Sequence, residues 1–199
     1  MPAIKAYKVL KDYLWESEHK EILERETIYF FPIDERKKNR DNANLPGGLA
    51  YGRINHYTNN GYDNDLQEYI VRHDEHIGYR YEVVKKLGKG SFGIVLRVFD
   101  HKLQVYVALK ILKNKKRLYK QGLVESKLIE TLNIGDPEDK KNVVKRLDHF
   151  VFRKHLNLTF ELLSVDLYHF IKMNNFMGFS LTLIKRMAIQ ILVSLYYMQ

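Results

Sequence analysis

Apolar residues recur along this chain with two periods, and the points where the period changes organise everything else. Over residues 81–87, 94–99 and 105–112, β-branched and aromatic side chains alternate with polar ones, so each run reads as a strand. In the third run Val105, Val107, Leu109 and Ile111 share one face, and Tyr106, Ala108, Lys110 and Leu112 share the other. The spacing then becomes helical over about residues 118–133, with Leu128, Ile129 and Leu132 marking the apolar stripe. Glu125 lies three, four and seven residues before these, which puts a carboxylate on the packing face, where it needs a cation. Strands return at 143–152 and 156–162, joined by Arg153-Lys154-His155. A short helix follows at about 167–174. Ser180 caps a last helix opening at Leu181, whose apolar positions Ile184, Met187, Ala188, Ile191, Leu192 and Leu195 keep helical spacing.

Upstream the pattern is looser. Residues 3–31 read as helical, with Tyr7, Leu10, Leu14 and Trp15 on one stripe and a second apolar set from Ile22 to Phe31. So many aromatic residues are costly to leave in water, so this segment is expected to dock on its own domain. Residues 32–62 read as a tether, carrying Arg36-Lys37-Lys38, Pro46-Gly47-Gly48 and Asn59-Asn60-Gly61.

Composition changes this picture little. The chain of 199 residues is 45% hydrophobic and 29% charged, which excludes wholesale disorder. It has no cysteine, so neither a disulfide framework nor a thiolate metal site can form, and an intracellular protein (cytoplasmic, nuclear or both) is expected. The net charge of +9 invites a nucleic-acid reading, but the basic residues fall in short runs without interleaved aromatics, as solvated loop charge does. His73 and His76 are read as surface residues beside Asp74 and Glu75, not as metal ligands. The tract from Met187 to Met198 is too short for the roughly 20 residues a bilayer span needs, so no membrane contact is expected.

The candidate chemistry sits where the first two strands meet, at Leu87-Gly88-Lys89-Gly90-Ser91-Phe92-Gly93-Ile94-Val95. Glycines at this spacing let a turn approach phosphate oxygens where a Cβ would intrude. In dinucleotide-binding folds the third glycine opens a helix and an acidic residue ends the next strand. Here a strand follows Gly93, and the following strand presents Lys110. That arrangement suits phosphoryl transfer, which needs positioning and charge neutralisation more than covalent participation. Lys110 is the candidate for the α- and β-phosphates, Glu125 its orienting partner, and Val95 and Ala108 a platform for adenine.

These motifs carry a resemblance. The stretch LGKGSFGIVLRVFDHKLQVYVALKILKNKKR is similar to the small lobe of the dual-specificity tyrosine-regulated kinases, the DYRK family, and VFRKHLNLTFELLSVDLYHFIKMNNFMGFSLTLIKRMAIQIL continues the match. Upstream, IYFFPIDERKKNR and TNNGYDNDLQEYIVRHDEHIGYRYEV resemble the extension and homology box of its class 2 branch. The resemblance implies an α+β fold: a kinase-like small lobe with a five-stranded antiparallel sheet and one packed helix. It divides the chain into an extension at 1–78, the small lobe and hinge at 79–163, and the start of the large lobe at 164–199.

The resemblance further implies ATP as co-substrate, protein substrates phosphorylated on serine and threonine, and tyrosine autophosphorylation. Phe160 takes the gatekeeper position, and Glu161, Leu162 and Leu163 the hinge that reads adenine. Asp166 falls near the ribose, where the family usually has asparagine. Magnesium is expected through ligands missing from this chain, because no His-Arg-Asp, His-Cys-Asp or Asp-Phe-Gly string occurs in it. The polypeptide alone is therefore expected to be inactive and reads as a kinase truncated before its catalytic loop. Two alternatives remain open: a non-catalytic nucleotide-binding or docking module, and a basic nucleic-acid-binding protein.

Overall fold

A computed structural model describes residues 1–34, 59–72 and 75–199. The tether's Arg36-Lys37-Lys38 and Pro46-Gly47-Gly48, and His73 with Asp74, lie outside the described residues. The strands are β1 (His76–Ile77), β2 (Tyr81–Lys89), β3 (Gly93–Asp100), β4 (Val105–Leu112), β5 (Arg146–Phe152) and β6 (His155–Glu161). They form one antiparallel sheet in the order β1-β2-β3-β4-β6-β5. The helices are α1 (Ala3–Leu10), α2 (Glu18–Glu21), α3 (Lys116–Gly135), α4 (Leu167–Met173) and α5 (Leu181–Tyr197). The α+β expectation holds, with one strand more than expected. The additional strand exists because Gly78 and Tyr79, at φ +63° and +57°, turn His76–Ile77 back onto Tyr81 and Glu82.

Strand alternation assigns the two faces as expected. Val107, Leu109 and Ile111 point to the outer face and are 1%, 0% and 2% exposed. They join Tyr81, Val83, Leu96, Val98 and Phe152 in one core with Ala6, Leu10, Ile22 and Ile28 of the N-terminal segment. That segment is not the continuous helix expected over residues 3–31. It leaves helical geometry by Leu14 (ψ 143°), and its Tyr29 and Phe30 amides both donate to the Tyr79 carbonyl, at 2.9 and 3.0 Å. Apolar spacing alone could not show that these aromatics dock singly on a surface supplied from elsewhere in the chain.

Polar contacts fasten the same interface. Arg153 and Lys154, at φ +47° and +66°, form the two-residue turn between β5 and β6. From that turn the Arg153 guanidinium reaches Glu18 at 2.8 Å, Glu21 at 2.9 Å and Glu75 at 2.8 Å, and lies 3.7 Å from the Tyr62 ring centroid. His76 is fully buried and bonded to Glu18 at 3.1 Å, and Glu75 beside it is buried too, so the expectation that His76 lies at the surface is wrong. Burial holds the His76 imidazole below its ordinary range, against the pull of Glu18.

On the inner face Leu112, Leu156 and Leu158 form a smaller cluster beneath α3. Ser180 caps α5 as expected, its Oγ accepting from the Leu183 amide. Among the described residues no helix is long and apolar enough to cross a membrane.

Candidate nucleotide site

Sheet register builds the site from β3, β4 and β6. Lys110 stands opposite Val95 on one side and Leu158 on the other; Ala108 stands opposite Arg97 and Phe160. Val95, Ala108, Lys110 and Phe160 therefore share the inner face, as residues directly opposite one another must. Lys110 Nζ meets Glu125 Oε1 at 2.6 Å, with 24% and 36% of the two side chains exposed. The pair is thus open enough to meet a ligand. At that exposure its contribution lies in fixing the ammonium, not in stability.

The approach of α3 depends on a residue that hydrophobic patterning passes over. A Cβ on Gly122 would lie 2.3 Å from Leu112 Cδ1 and 2.9 Å from Leu156 Cδ2. The buried residues of α3 are Leu118, Gly122 and Ser126, whereas Leu128 is 61% exposed. Of the expected stripe Ile129 and Leu132 are half-buried and only Leu128 is misplaced, because small residues make the closest contact and patterning favours bulky ones. Glu125 still reaches Lys110, since it flanks Ser126 on the packed side.

The glycine turn divides into two kinds of glycine. None of Gly88, Gly90 and Gly93 has a left-handed φ, so backbone conformation does not demand them. A Cβ on Gly88 or Gly90 would meet nothing within 4 Å, leaving open space of the kind a phosphate could occupy. A Cβ on Gly93 would lie 2.0 Å from the Ile111 carbonyl oxygen, so that glycine serves the packing of β3 on β4.

Not every candidate faces the site. Ile94 sits on the outer face and packs against the core, opposite Lys89 and Ile111 in register. The Lys89 side chain also turns outward, to Glu68 at 2.7 Å. Leu87 and Phe92, each 48% exposed, flank the turn on either side of Ser91.

At the hinge, the Glu161 amide already donates to the Lys145 carbonyl at 3.0 Å, so it cannot donate to a base. That leaves the Glu161 carbonyl, Leu162 and Leu163 as the hinge groups to which the adenine-reading expectation can still apply, with Leu163 63% exposed. Asp166 is the N-cap of α4: Oδ1 accepts from the His169 amide at 2.8 Å, and Oδ2 lies 2.7 Å from His169 Nδ1. The backbone bond from His169, then its imidazole, holds the Asp166 carboxyl below its ordinary range. The sequence signal for the cap, an aspartate just before a helical run, was present.

The sequence reading missed Glu68, whose carboxylate takes Lys89, Asn64 and Lys113 at 2.7, 2.9 and 3.0 Å. The bond from Lys89, with those from Asn64 and Lys113, draws its pKa down to about 2. Among the described residues Glu18, Glu21 and His76 have ligand atoms close enough for a metal ion, but they lie on the outer face and two of them already hold the Arg153 guanidinium. The acidic side chain beside Lys110 is the Glu125 that pairs with it. The described residues therefore do not provide a fitted magnesium site here.

Residues 81–199 match the family model of the protein kinase domain. The chain belongs to the protein kinase family. Within that family its relatives place it in the DYRK group. It is 42% identical over 190 residues to dual specificity tyrosine-phosphorylation-regulated kinase 3 of Homo sapiens, covering 96% of this chain and 30% of the relative. It is 44% identical over 193 residues to the probable serine/threonine-protein kinase dyrk2 of Dictyostelium discoideum, covering 97% and 20%. It is 47% identical over 149 residues to dual specificity tyrosine-phosphorylation-regulated kinase mbk-2 of Caenorhabditis elegans, covering 74% and 18%. The chain thus spans less than a third of the length of the curated relatives it matches. In kinase terms β2 to β6 with α3 are the small lobe, and the glycine turn lies within the matched residues.

Proposed function

We propose that this chain is the ATP-binding portion of a dual-specificity protein kinase, one that transfers the γ-phosphoryl group of ATP to serine and threonine of protein substrates and autophosphorylates on tyrosine. The observation that carries the reading is the 2.6 Å Lys110–Glu125 pair set beneath open space at Gly88 and Gly90. Lys110 would neutralise the α- and β-phosphates, Glu125 would hold its ammonium in place, and the glycine turn would cover the phosphates with backbone N–H groups. Val95, Ala108 and Phe160 would enclose the adenine, and the Glu161 carbonyl with Leu162 and Leu163 would read its edge. Magnesium would need ligands other than the residues described at this site. We place the protein inside the cell, on the absence of cysteine.

Titration with ATP and, separately, adenosine tests the assignment. Lys110→Met should lower ATP affinity at least ten-fold and leave adenosine binding unchanged. Equal ATP binding by the variant and the wild-type chain would remove Lys110 from the site. The absence of His-Arg-Asp and Asp-Phe-Gly strings favours a second statement about these 199 residues: they bind nucleotide without transferring phosphate. Phosphate transfer by the purified chain would contradict it.

A further inference from the structure

The glycine turn is held from behind as well as facing the nucleotide. Its outer side borders a cavity of ≈ 250 Å³ whose lining includes Glu68, Tyr69, Lys86, Lys89, Ile94 and Lys113. Glu68, with a side chain 10% exposed, bonds Lys89 through Oε2 at 2.7 Å and Lys113 through Oε1 at 3.0 Å. Lys89 belongs to the rising limb of the turn. Lys113 follows β4, and its amide donates to the Phe92 carbonyl on the descending limb at 3.0 Å. One carboxylate thus reaches both limbs through two lysines.

Glu68 is itself held by the upstream segment. Asn64 Nδ2 donates to Glu68 Oε2 at 2.9 Å, and Asn64 Oδ1 accepts from the Glu68 amide at 3.0 Å. The Asn114 amide donates to the Gln67 carbonyl at 2.9 Å, and Asn114 Nδ2 donates to Asp63 Oδ2 at 2.9 Å. Residues 63–68 are therefore stitched to the strand end that carries Lys113, and the glycine turn hangs from the same stitch.

We propose that Glu68 is a positioning residue that, through Lys89 and Lys113, holds the glycine-rich turn in place over the nucleotide site. The consequence for ATP rests on the nucleotide reading above. A turn without side chains at Gly88 and Gly90 has much backbone freedom to lose when it closes on phosphates. Holding both limbs in the free protein removes part of that loss from the binding step. The effect belongs to ATP and not to adenosine, because only the phosphates lie under the turn.

Glu68→Gln and Lys89→Met separate this role from a plain field effect. One removes a negative charge near the phosphates and the other a positive charge, so electrostatics alone would move ATP affinity in opposite directions. Loss of the hold moves both the same way. Each variant of the 199-residue chain should bind ATP about five-fold more weakly with adenosine affinity unchanged, and the double variant should lose no more than either single one.

Hydrogen exchange without nucleotide tests the hold itself. In Glu68→Gln the Gly90 and Lys113 amides, which donate to the Gly93 and Phe92 carbonyls, should exchange about ten-fold faster, while the β5–β6 hairpin is unchanged. Unchanged exchange at Gly90 and Lys113 overturns the proposal whatever the nucleotide does. Opposite shifts in ATP affinity, or equal losses for ATP and adenosine, overturn it as well. Failure of the wild-type chain to bind ATP, with the exchange response present, counts instead against the nucleotide reading.

Discussion

Replacing Arg153 by Met should loosen the whole outer face. The guanidinium is 2% exposed and meets Glu18, Glu21 and Glu75 at 2.8–2.9 Å; Glu18 is 0% and Glu75 5% exposed. Met keeps an apolar stem against the Tyr62 and Phe152 rings and carries the same left-handed backbone cost as Arg, so the charge is the main thing lost. Removing one partner from a buried ionic group typically costs about 3–5 kcal/mol, because the remaining charges lose their compensation. For a chain of this size about 4 kcal/mol lowers Tm by roughly 8–16 °C.

Urea and thermal unfolding read this change with two probes: the fluorescence of Trp15, the single tryptophan, within the N-terminal segment, and circular dichroism for the sheet. Both midpoints should fall together, since segment and sheet share one core. The loss should also depend on pH. A buried carboxylate without its cation binds a proton more readily, so its folded pKa rises above the unfolded value of about 4.3. Stability from such a group is full below the unfolded pKa and lost as pH rises through the folded one. Arg153→Met should therefore be less damaging at pH 5 than at pH 8. A loss below about 1 kcal/mol, or one equal at both pH values, would refute the view that the guanidinium compensates buried charge.

Three further outcomes follow from the geometry. Gly93→Ala should destabilise the chain by about 3 kcal/mol, its Cβ meeting a backbone oxygen that cannot rotate away, whereas Gly90→Ala should change stability by less than about 0.5 kcal/mol yet weaken ATP binding; equal melting of the two variants would contradict the distinction. Burial alone would raise the Asp63 carboxyl, but bonds from His155, Asn59 and Asn114 together hold it below its ordinary 3.8, so its contribution is present above that pH and lost on further acidification. Asp63→Asn should accordingly flatten the acid limb of the stability–pH curve, and an unchanged limb would exclude it as a source. Asp166→Ala should cost about 1 kcal/mol through the lost cap of α4 and leave ATP affinity as it was; a clear loss of affinity, measured by titration, would assign the carboxylate to ribose instead.

Local chemistry made the bounds and faces of β4 and the start of α5 legible in the sequence. Alternation in residues 105–112 placed Ala108 and Lys110 together on the face away from Leu109, and β4 has those bounds. The glycine spacing, the strand after it and the lysine beyond separated a kinase domain from a dinucleotide-binding one, because each is a property of neighbouring residues. Ser180 and Leu181 announced α5 for the same reason.

What the sequence determined by itself was thus whatever a strand period, a turn or a cap expresses within a few residues. Tertiary structure decided the rest. Gly122 sets the distance of α3 from the sheet, but a glycine within a helix carries no local mark of the leucines it must admit. Arg153 and Glu18 are separated by 135 positions, and charges in separate loops acquire partners only when the chain folds. The outward turn of Lys89 to Glu68 belongs to the same class. In isolation that lysine reads as part of a phosphate cradle; packed, it is drawn to a carboxylate on the opposite face, because the segment carrying Glu68 is stitched there by Asn114.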